Sequence, residues 1–191
     1  MEEMMTTLKR LIAIPSDQET LWKIICAEKK ILKGQLFICP GEIPKKFAFV
    51  KSGLFRYYYL DIEGKESTKA FIESGSFIAS YSAMITGGPS LLYIEALEDS
   101  IIYEVQFQDW LALRQQHKCW NELLVYMLEK AFVIKETRER EFLQLDAEQR
   151  YQNFRKNFPD LESRVRQHHI ASYLGITAVS LSRLRKQHAL T

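Results

Sequence analysis

Residues 168–186, near the end of the chain, constrain its fold more than any other stretch. They read HHIASYLGITAVSLSRLRK. Ile170 and Leu174 share one face of a first short helix, and Gly175 suits the left-handed conformation that ends a helix and turns the chain. Thr177 is a suitable N-cap for a second helix. The stretch therefore predicts a helix-turn-helix.

In the second predicted helix, Leu181 and Leu184 lie three residues apart and are expected to face the core. The remaining side chains are expected to point largely outward, with donors suited to base edges and phosphates. The candidate DNA-contacting residues are Thr177, Val179, Ser180, Ser182, Arg183, Arg185 and Lys186. A helical hairpin with a solvated basic face would show the same local pattern. Other features of the chain must therefore distinguish it from a DNA-binding helix-turn-helix.

Charge is distributed unevenly along the chain. The net charge is only +2, but residues 147–191 carry eight lysines and arginines against three acidic residues, whereas residues 1–146 carry 18 against 21. A basic C-terminal segment on a nearly neutral chain predicts a polyanionic partner for that segment.

The cysteines indicate a cytoplasmic protein. Cys26, Cys39 and Cys119 are widely separated and odd in number, which predicts buried thiols in a reducing compartment and neither a metal site nor an iron–sulfur cluster. The N-terminal residues are not expected to form a signal peptide, and no run approaches the ~20 apolar residues of a membrane span. Without paired carboxylates, a nucleophile motif or a phosphate-binding loop, the chain is not expected to be an enzyme.

The first half of the chain changes from helical to strand-like patterning. Residues 1–29 are predicted to be helical. From residue 30 onward, short apolar and aromatic runs are separated by turn signals roughly every ten residues, as expected for a β-sandwich or barrel. Residues 81–88 are predicted to interrupt the strands as a short helix or loop.

A helical segment of about thirty residues without glycine or proline begins at Cys119. Two heptad registers fit it imperfectly. One contains Leu124, Met127, Ala131, Ile134, Arg138, Glu141 and Leu145; the other contains Leu124, Leu128, Ala131, Lys135, Arg138, Phe142 and Leu145. A helix this long in a small protein needs a partner, and self-pairing into a dimer is the simplest hypothesis. Packing only on the β domain is the alternative.

The order of these elements resembles the cAMP receptor protein/FNR (Crp/Fnr) family of bacterial transcription regulators. The most specific motifs are IASYLGITAVSLSRLRK and ESGSFIASYSAM followed by YIEALEDSIIYEV, and the strand pattern also fits KGQLFICPGE, FVKSGLFRYYY and IEGKE. The segment RYQNFRKNFPDLESRVRQHHIASYLGIT is similar to the short members of the family that are common in the Bacteroidetes. The resemblance covers nearly the whole chain.

The resemblance implies an α+β fold in three parts. Residues 1–118 are expected to form a double-stranded β-helix, a jelly-roll-like cyclic-nucleotide-binding domain with flanking helices. Residues 119–146 are expected to form a long dimerisation helix. Residues 147–191 are expected to form a winged-helix-like helix-turn-helix domain, with a short or absent β-wing.

The recognition helix of the family carries the pattern E-x-x-S-R. Ser182 and Arg183 match its last two positions, and the resemblance implies that Arg183 reads a guanine edge, a contact worth about 1–3 kcal/mol of discrimination. A contact to phosphate alone is the alternative. Val179 stands at the glutamate position and cannot accept a hydrogen bond from a base amine. It is expected to contact a thymine methyl, so the operator should differ from the usual family sites.

The effector region departs from the family pattern. It comprises Gly75, Ser76, Phe77, Ile78, Ala79, Ser80, Ser90 and Leu91. Family members that bind cyclic nucleotides use a glutamate for the ribose and an arginine followed by serine for the cyclic phosphate, and an ungapped alignment places Ser80, Ser90 and Leu91 at these positions. Because burying a phosphate without a cation is costly, cAMP is expected to bind poorly or not at all. A less charged effector and a vestigial pocket both remain open, and haem is not expected because no histidine falls in the β-roll.

These observations predict a dimeric, cytoplasmic DNA-binding regulator that responds to an effector or another signal at the β-roll. The expected partners are double-stranded DNA and a second copy of the chain, paired through residues 119–146. RNA polymerase and a small-molecule effector are further candidates. The alternative function is a cyclic-nucleotide-type sensor whose C-terminal helices dock a protein partner, against which the basic C-terminal segment argues.

Overall fold

A computed structural model describes residues 1–189, which include all but the last two residues of the predicted domain 147–191. Its helices are α1 (Glu2–Leu11), α2 (Ser16–Ile25), α3 (Tyr81–Thr86), α4 (Phe107–Gln116), α5 (Cys119–Gln144), α6 (Ala147–Asn157), α7 (Leu161–Arg164), α8 (Gln167–Leu174) and α9 (Ala178–Ala189). Its strands are β1 (Cys26–Ile31), β2 (Leu36–Ile38), β3 (Lys46–Ser52), β4 (Leu54–Leu60), β5 (Glu66–Glu73), β6 (Phe77–Ile78), β7 (Tyr93–Ala96) and β8 (Ser100–Gln106).

The chain divides into two compact units. The first unit comprises Met1–Tyr57 and Phe71–Lys130, and the second comprises Tyr58–Ala70 and Ala131–Thr191. The outer part of the β4–β5 hairpin thus groups with the C-terminal helices. The chain passes between the units three times, within β4, within β5 and within α5.

Two four-stranded sheets, with strand orders β1-β8-β3-β6 and β2-β7-β4-β5, form the jelly-roll-like β structure. The register of the first sheet is set by antiparallel pairs such as Phe47↔Val105 and Phe49↔Tyr103. These apolar side chains are buried, which specifies the register because a one-residue slip would turn them to the opposite face.

Tryptophans from three helices close the core of the first unit. Trp22 of α2 stacks on Trp120 of α5 with ring centroids 5.1 Å apart, and Trp110 of α4 meets both rings edge-on. All three are buried. The Trp120 indole N–H donates to Gln18 across 2.9 Å, so this buried polar group is satisfied. These contacts anchor the start of the long helix α5.

The predicted helical stretch 1–29 is wrong at its end. Helix α2 ends at Ile25 and β1 begins at Cys26. Residues of β1 pair along their whole length with β8, from Cys26↔Val105 to Ile31↔Ser100. The ladder with a neighbouring strand therefore overrides the local helical preference, a tertiary effect that periodicity cannot reveal.

The second unit is built on α6 to α9 and the C-terminal part of α5. Helix α5 ends at Gln144, and a capping box starts α6: the Asp146 side chain accepts from the Gln149 amide at 2.9 Å, while the Gln149 side chain accepts from the Asp146 amide. Tyr151 and Phe154 point inward from α6 and are buried. The sheets, the long helix and the helix-turn-helix confirm the predicted α+β fold.

None of the helices within residues 1–189 is both long and apolar enough to cross a membrane. Over the same residues, no group of three or more His, Cys, Asp or Glu side chains is arranged to hold a metal ion.

Candidate nucleic-acid interface and effector region

The helix-turn-helix consists of α8, a turn at Gly175 and α9. Gly175 has φ 68° and ends α8 in the left-handed conformation, as predicted. The Ile176 amide donates to the Ala171 carbonyl at 3.0 Å across the turn. Thr177 caps α9, since its hydroxyl accepts from the Ser180 amide at 3.1 Å and lies 2.9 Å from the Ser180 hydroxyl. The turn predicted from sequence is thus confirmed by its hydrogen bonds.

Apolar side chains hold the two helices together. Ile170, Ala171 and Leu174 of α8 are buried, and Leu181 of α9 is fully buried against them. Burial of Leu181 fixes which face of α9 turns to solvent.

The exposed face of α9 is formed by Val179, Arg183 and Lys186. These residues are spaced i, i+4 and i+7 and therefore follow one line along the helix. Val179 is 62% exposed. Ser180 and Ser182 are half-buried at the two edges of this face. Five of the predicted contact residues are thus brought together on one side of a short helix.

Arg185 is not part of that face. It is half-buried, and its Nε lies 3.4 Å from the carboxylate of Glu162 in α7. The same carboxylate accepts from the Tyr151 hydroxyl at 2.8 Å and lies 3.4 Å from Arg155. Burial, with the neighbouring Glu162 hydrogen bond adding to it, raises the pKa of Tyr151 to about 12. Arg185 thus takes part in an ion-pair cluster inside the second unit, which the outward position predicted for it did not anticipate.

Two arginines missed by the sequence reasoning hold the C-terminal end of α8. Arg138 of α5 donates to the Tyr173 carbonyl at 2.6 Å, and Arg150 of α6 donates to the Leu174 carbonyl at 3.1 Å. Both carbonyls belong to the last turn of α8, where no intrahelical donor is left for them. The Arg138 guanidinium also stacks on the Tyr173 ring, 3.7 Å from its centroid. Burial lowers the pKa of Arg138.

A phenyl ring packs under the turn. A β-carbon at Gly175 would lie 2.7 Å from Cε1 of Phe142, closer than real contacts allow. Arg138 and Arg150 lie over the same ring, 4.8 and 5.1 Å from its centroid. A side chain at position 175 would therefore require the Phe142 ring to move, in addition to adopting a backbone conformation that favours glycine.

In the β-roll, the predicted ribose and phosphate positions touch each other. The hydroxyls of Ser80 and Ser90 are 2.9 Å apart, and both residues are buried. Ser90 is further held by the backbone of Leu92, whose amide and carbonyl each lie 3.1 Å from the Ser90 hydroxyl. These two positions offer paired hydroxyls and no cationic side chain.

A tyrosine that the sequence analysis did not identify is hydrogen-bonded to the backbone next to Ser80. The Tyr57 hydroxyl of β4 accepts from the Ala79 amide at 2.8 Å and donates to the Ala79 carbonyl at 3.3 Å. Burial raises the pKa of Tyr57 far above its usual range. The hydroxyl thus uses donor and acceptor on the residue next to Ser80.

The other predicted effector residues have different surroundings. Gly75 and Ser76 form a turn bonded to the backbone of Val50. Phe77 meets the rings of Trp22, Phe47 and Phe49 in the aromatic core. Ile78 is fully buried, whereas Leu91 is 76% exposed. Of the predicted effector residues, the structure thus brings together Ala79, Ser80 and Ser90. It places Phe77 in the aromatic core and Leu91 at the surface.

A buried cation in the same β-roll was also missed. Arg56 of β4 has no solvent exposure, and its guanidinium lies 3.8 Å from the carboxylate of Glu95 in β7. A single arginine in the otherwise apolar and aromatic run LFRYYYL is the sequence signal that would have identified it.

Comparison with known proteins agrees with this architecture. Residues 28–117 match the family model described as the cyclic nucleotide-binding domain. No curated protein matches the chain significantly by sequence. Among solved structures, FixK2 from Bradyrhizobium japonicum is 20% identical with a TM-score of 0.75, over 85% of this chain and 84% of that one.

Two further structures share the fold. A putative transcriptional regulator of the crp/fnr family from Eubacterium rectale is 16% identical with a TM-score of 0.73, over 93% of this chain and 84% of that one. The c-di-GMP responsive global regulator CLP from Xanthomonas campestris is 14% identical with a TM-score of 0.72, over 92% of each chain. Residues 28–117 are thus similar to the cyclic nucleotide-binding domain, and the chain has the fold of Crp/Fnr-type regulators.

Proposed function

We propose that this protein is a transcriptional regulator that binds specific double-stranded DNA sequences through α9. The observation that carries the proposal is the line of Val179, Arg183 and Lys186 on the solvent face of a helix whose opposite face is fixed by buried Leu181. A short helix so displayed fits the major groove. The shared fold with Crp/Fnr-type regulators supports the same function.

The residues of this face have distinct proposed roles. Arg183 reads a guanine edge through its bidentate donors, and Val179 contacts a thymine methyl. Lys186, Thr177 and Ser180 contact phosphates, and Ser182 borders the base-reading pair. Arg185 would reach a phosphate only by giving up its ion pair with Glu162, so we expect it to contribute less to DNA affinity than Lys186.

A binding experiment with two variants tests these roles. We expect Arg183→Ala to weaken binding to a selected operator by about 10- to 100-fold and to relax the preference for guanine at one position. We expect Lys186→Ala to weaken binding to all sequences about equally and to reduce the salt dependence. Fluorescence anisotropy on operator and scrambled duplexes at several salt concentrations measures both effects. Binding indifferent to Arg183→Ala would contradict the proposal.

The protein is further proposed to act as a dimer through α5. The face of α5 opposite buried Leu123 exposes apolar side chains at Val125, Leu128, Phe132 and Leu143. Neither register predicted from the sequence coincides with this face. Leu124 and Met127 pack against the core of the first unit, and Arg138 is bonded to backbone carbonyls of the second. The proposed seam is therefore Val125, Leu128, Phe132 and Leu143.

We further propose that the effector of this regulator is not cAMP. A cyclic phosphate at the predicted position would have to separate the Ser80–Ser90 hydroxyl pair and would meet no cation there. Desolvating that charge without a partner is unfavourable. The residues present at these two positions therefore do not fit a cyclic nucleotide.

A further inference from the structure

The outer part of the β4–β5 hairpin, residues 58–70, belongs to the second unit and has a hydrogen-bonded turn. Its turn is closed by Asp61, whose side chain accepts from the amides of Glu63 and Lys65 at 3.0 and 2.9 Å. The backbones of Asp61 and Lys65 are also hydrogen-bonded. These hydrogen bonds fix the conformation of the hairpin, so its contacts can orient a neighbouring helix.

The hairpin contacts the first helix of the helix-turn-helix through Ser172. The Thr68 amide donates to the Ser172 hydroxyl at 2.9 Å, and this hydroxyl donates to the Glu66 carbonyl at 2.8 Å. A carbonyl and an amide two residues apart are the groups that a neighbouring parallel strand would engage. One side chain of α8 therefore takes the place of a strand residue at the edge of β5.

Arg138 reinforces this contact from α5. Its Nη2 lies 3.3 Å from the Thr68 carbonyl and 2.6 Å from the Tyr173 carbonyl, so one guanidinium nitrogen joins the hairpin to α8. The carboxylate of Glu66 lies 3.8 Å from Nδ1 of His169, also in α8. Three elements of the second unit, the hairpin, α5 and α8, thus meet around Ser172.

The strands of the hairpin continue into the β-roll. Strand β4 begins at Leu54 and includes Tyr57, which is bonded to Ala79 beside the predicted effector position, and β5 ends at Glu73. A displacement of the β-roll backbone would therefore reach α8 along two covalent strands as well as along α5. The exposed face of α9, with Val179 and Arg183, is left open by these contacts, so they can orient the helix-turn-helix without covering it.

We propose that Ser172 is a positioning residue through which the hairpin 58–70 orients the helix-turn-helix for simultaneous binding of two DNA half-sites. The proposal rests on the DNA-binding function proposed above. Holding α8 against the hairpin limits the orientations of α9. This raises the effective concentration of the second recognition helix once the first is bound. On a single half-site the same restraint brings no advantage.

The test compares Ser172→Ala with the wild type on two duplexes, one with two half-sites and one with a single half-site, both derived from sequences selected out of a random pool. We expect Ser172→Ala to weaken binding to the two-site duplex by about five-fold, the weight of one neutral hydrogen bond, and to leave single-site affinity unchanged. Amide hydrogen exchange at Thr68, followed by NMR, should accelerate about ten-fold because its acceptor is lost.

Two variants serve as controls. Ser172→Thr keeps the hydroxyl and should restore both the two-site affinity and the Thr68 exchange rate. Ser163→Ala removes an exposed hydroxyl that donates to the Asp160 carbonyl and should change neither.

Four results would overturn the proposal: equal weakening on both duplexes, unchanged two-site affinity, tighter binding by Ser172→Ala, or unchanged exchange at Thr68. If no sequence is selected even at low salt, the DNA-binding function itself fails, while the exchange measurement still decides whether Ser172 holds the hairpin.

Discussion

At the scale of single residues, the turn of the helix-turn-helix depends on Gly175 for two separable reasons. Its φ of 68° is unfavourable for a side chain by about 1–2 kcal/mol. In addition, a β-carbon would collide with Phe142. Gly87 ends α3 with the same φ, but a β-carbon there meets no atom within 4 Å. The two glycines therefore form a matched pair.

We expect Gly87→Ala to lower the free energy of unfolding by about 1 kcal/mol, from backbone conformation alone. Gly175→Ala should cost about 1–2 kcal/mol more, because the Phe142 ring must also move. Urea denaturation of both variants measures the difference. Equal losses would show that Phe142 does not restrict position 175.

Sequence reasoning located these residues where the signal is local. The glycine at 175, the Thr177 cap and the exposed positions of Val179 and Arg183 follow from helix periodicity and turn chemistry. The ion pair of Arg185 was not predicted, because its partner, Glu162, lies in another helix 23 residues earlier in the chain. Long-range ion pairs of this kind leave no periodic trace in a sequence.

At the scale of elements, the long helix α5 shows where patterning becomes ambiguous. Its apolar residues serve two surfaces. Leu123 and Leu124 pack on the first unit, and Phe132 and Leu143 are exposed. A single heptad cannot describe both, which is why two imperfect registers fitted the sequence. The break after Gln144 has a local signal that the prediction did not use, because Asp146 and Gln149 have the spacing of a capping box.

The proposed seam predicts which substitution separates the dimer. Phe132 and Ile134 are similarly exposed, 63% and 57%, but lie on nearly opposite sides of α5. We expect Phe132→Glu to weaken self-association at least ten-fold, since it places two carboxylates across an apolar interface. Ile134→Glu should leave it nearly unchanged. Sedimentation equilibrium distinguishes the two variants. Loss of association in Ile134→Glu alone would support the register that contains Leu124, Met127 and Ile134.

The effector region departs from the pattern of the family that the sequence resembles. Ser80 and Ser90 were matched to the ribose and phosphate positions by the resemblance alone, and the structure brings their hydroxyls within 2.9 Å. The hydrogen bond between Tyr57 and Ala79 could not be predicted from a local sequence pattern, because the two residues are 22 positions apart. The serine hydroxyls bond each other and the Leu92 backbone, whereas the Tyr57 hydroxyl bonds the Ala79 backbone.

This arrangement predicts that cyclic nucleotides do not stabilise the protein. Because a ligand that binds the folded state raises the unfolding temperature, we expect no change in the thermal midpoint with millimolar cAMP or cGMP. Differential scanning fluorimetry at constant ionic strength measures it. A rise of several degrees with either nucleotide would contradict the proposed absence of a phosphate site.

At the scale of the whole molecule, three passages of the chain connect the β-roll, which is similar to the cyclic nucleotide-binding domain, to the helix-turn-helix. The order of these parts was predictable, because a change from strand to helix patterning and a basic C-terminal segment are properties of the sequence. The grouping of residues 58–70 with the C-terminal helices was not, since it depends on the Ser172, Arg138 and Glu66 contacts.

The central claim is that a dimer of this chain reads DNA with two copies of α9. Hydroxyl-radical footprinting of the purified protein on a selected operator tests it most directly. We expect two protected segments whose centres lie one helical turn apart, ~34 Å, because two recognition helices would lie in successive major grooves. A single protected segment, or no protection at low salt, would contradict it.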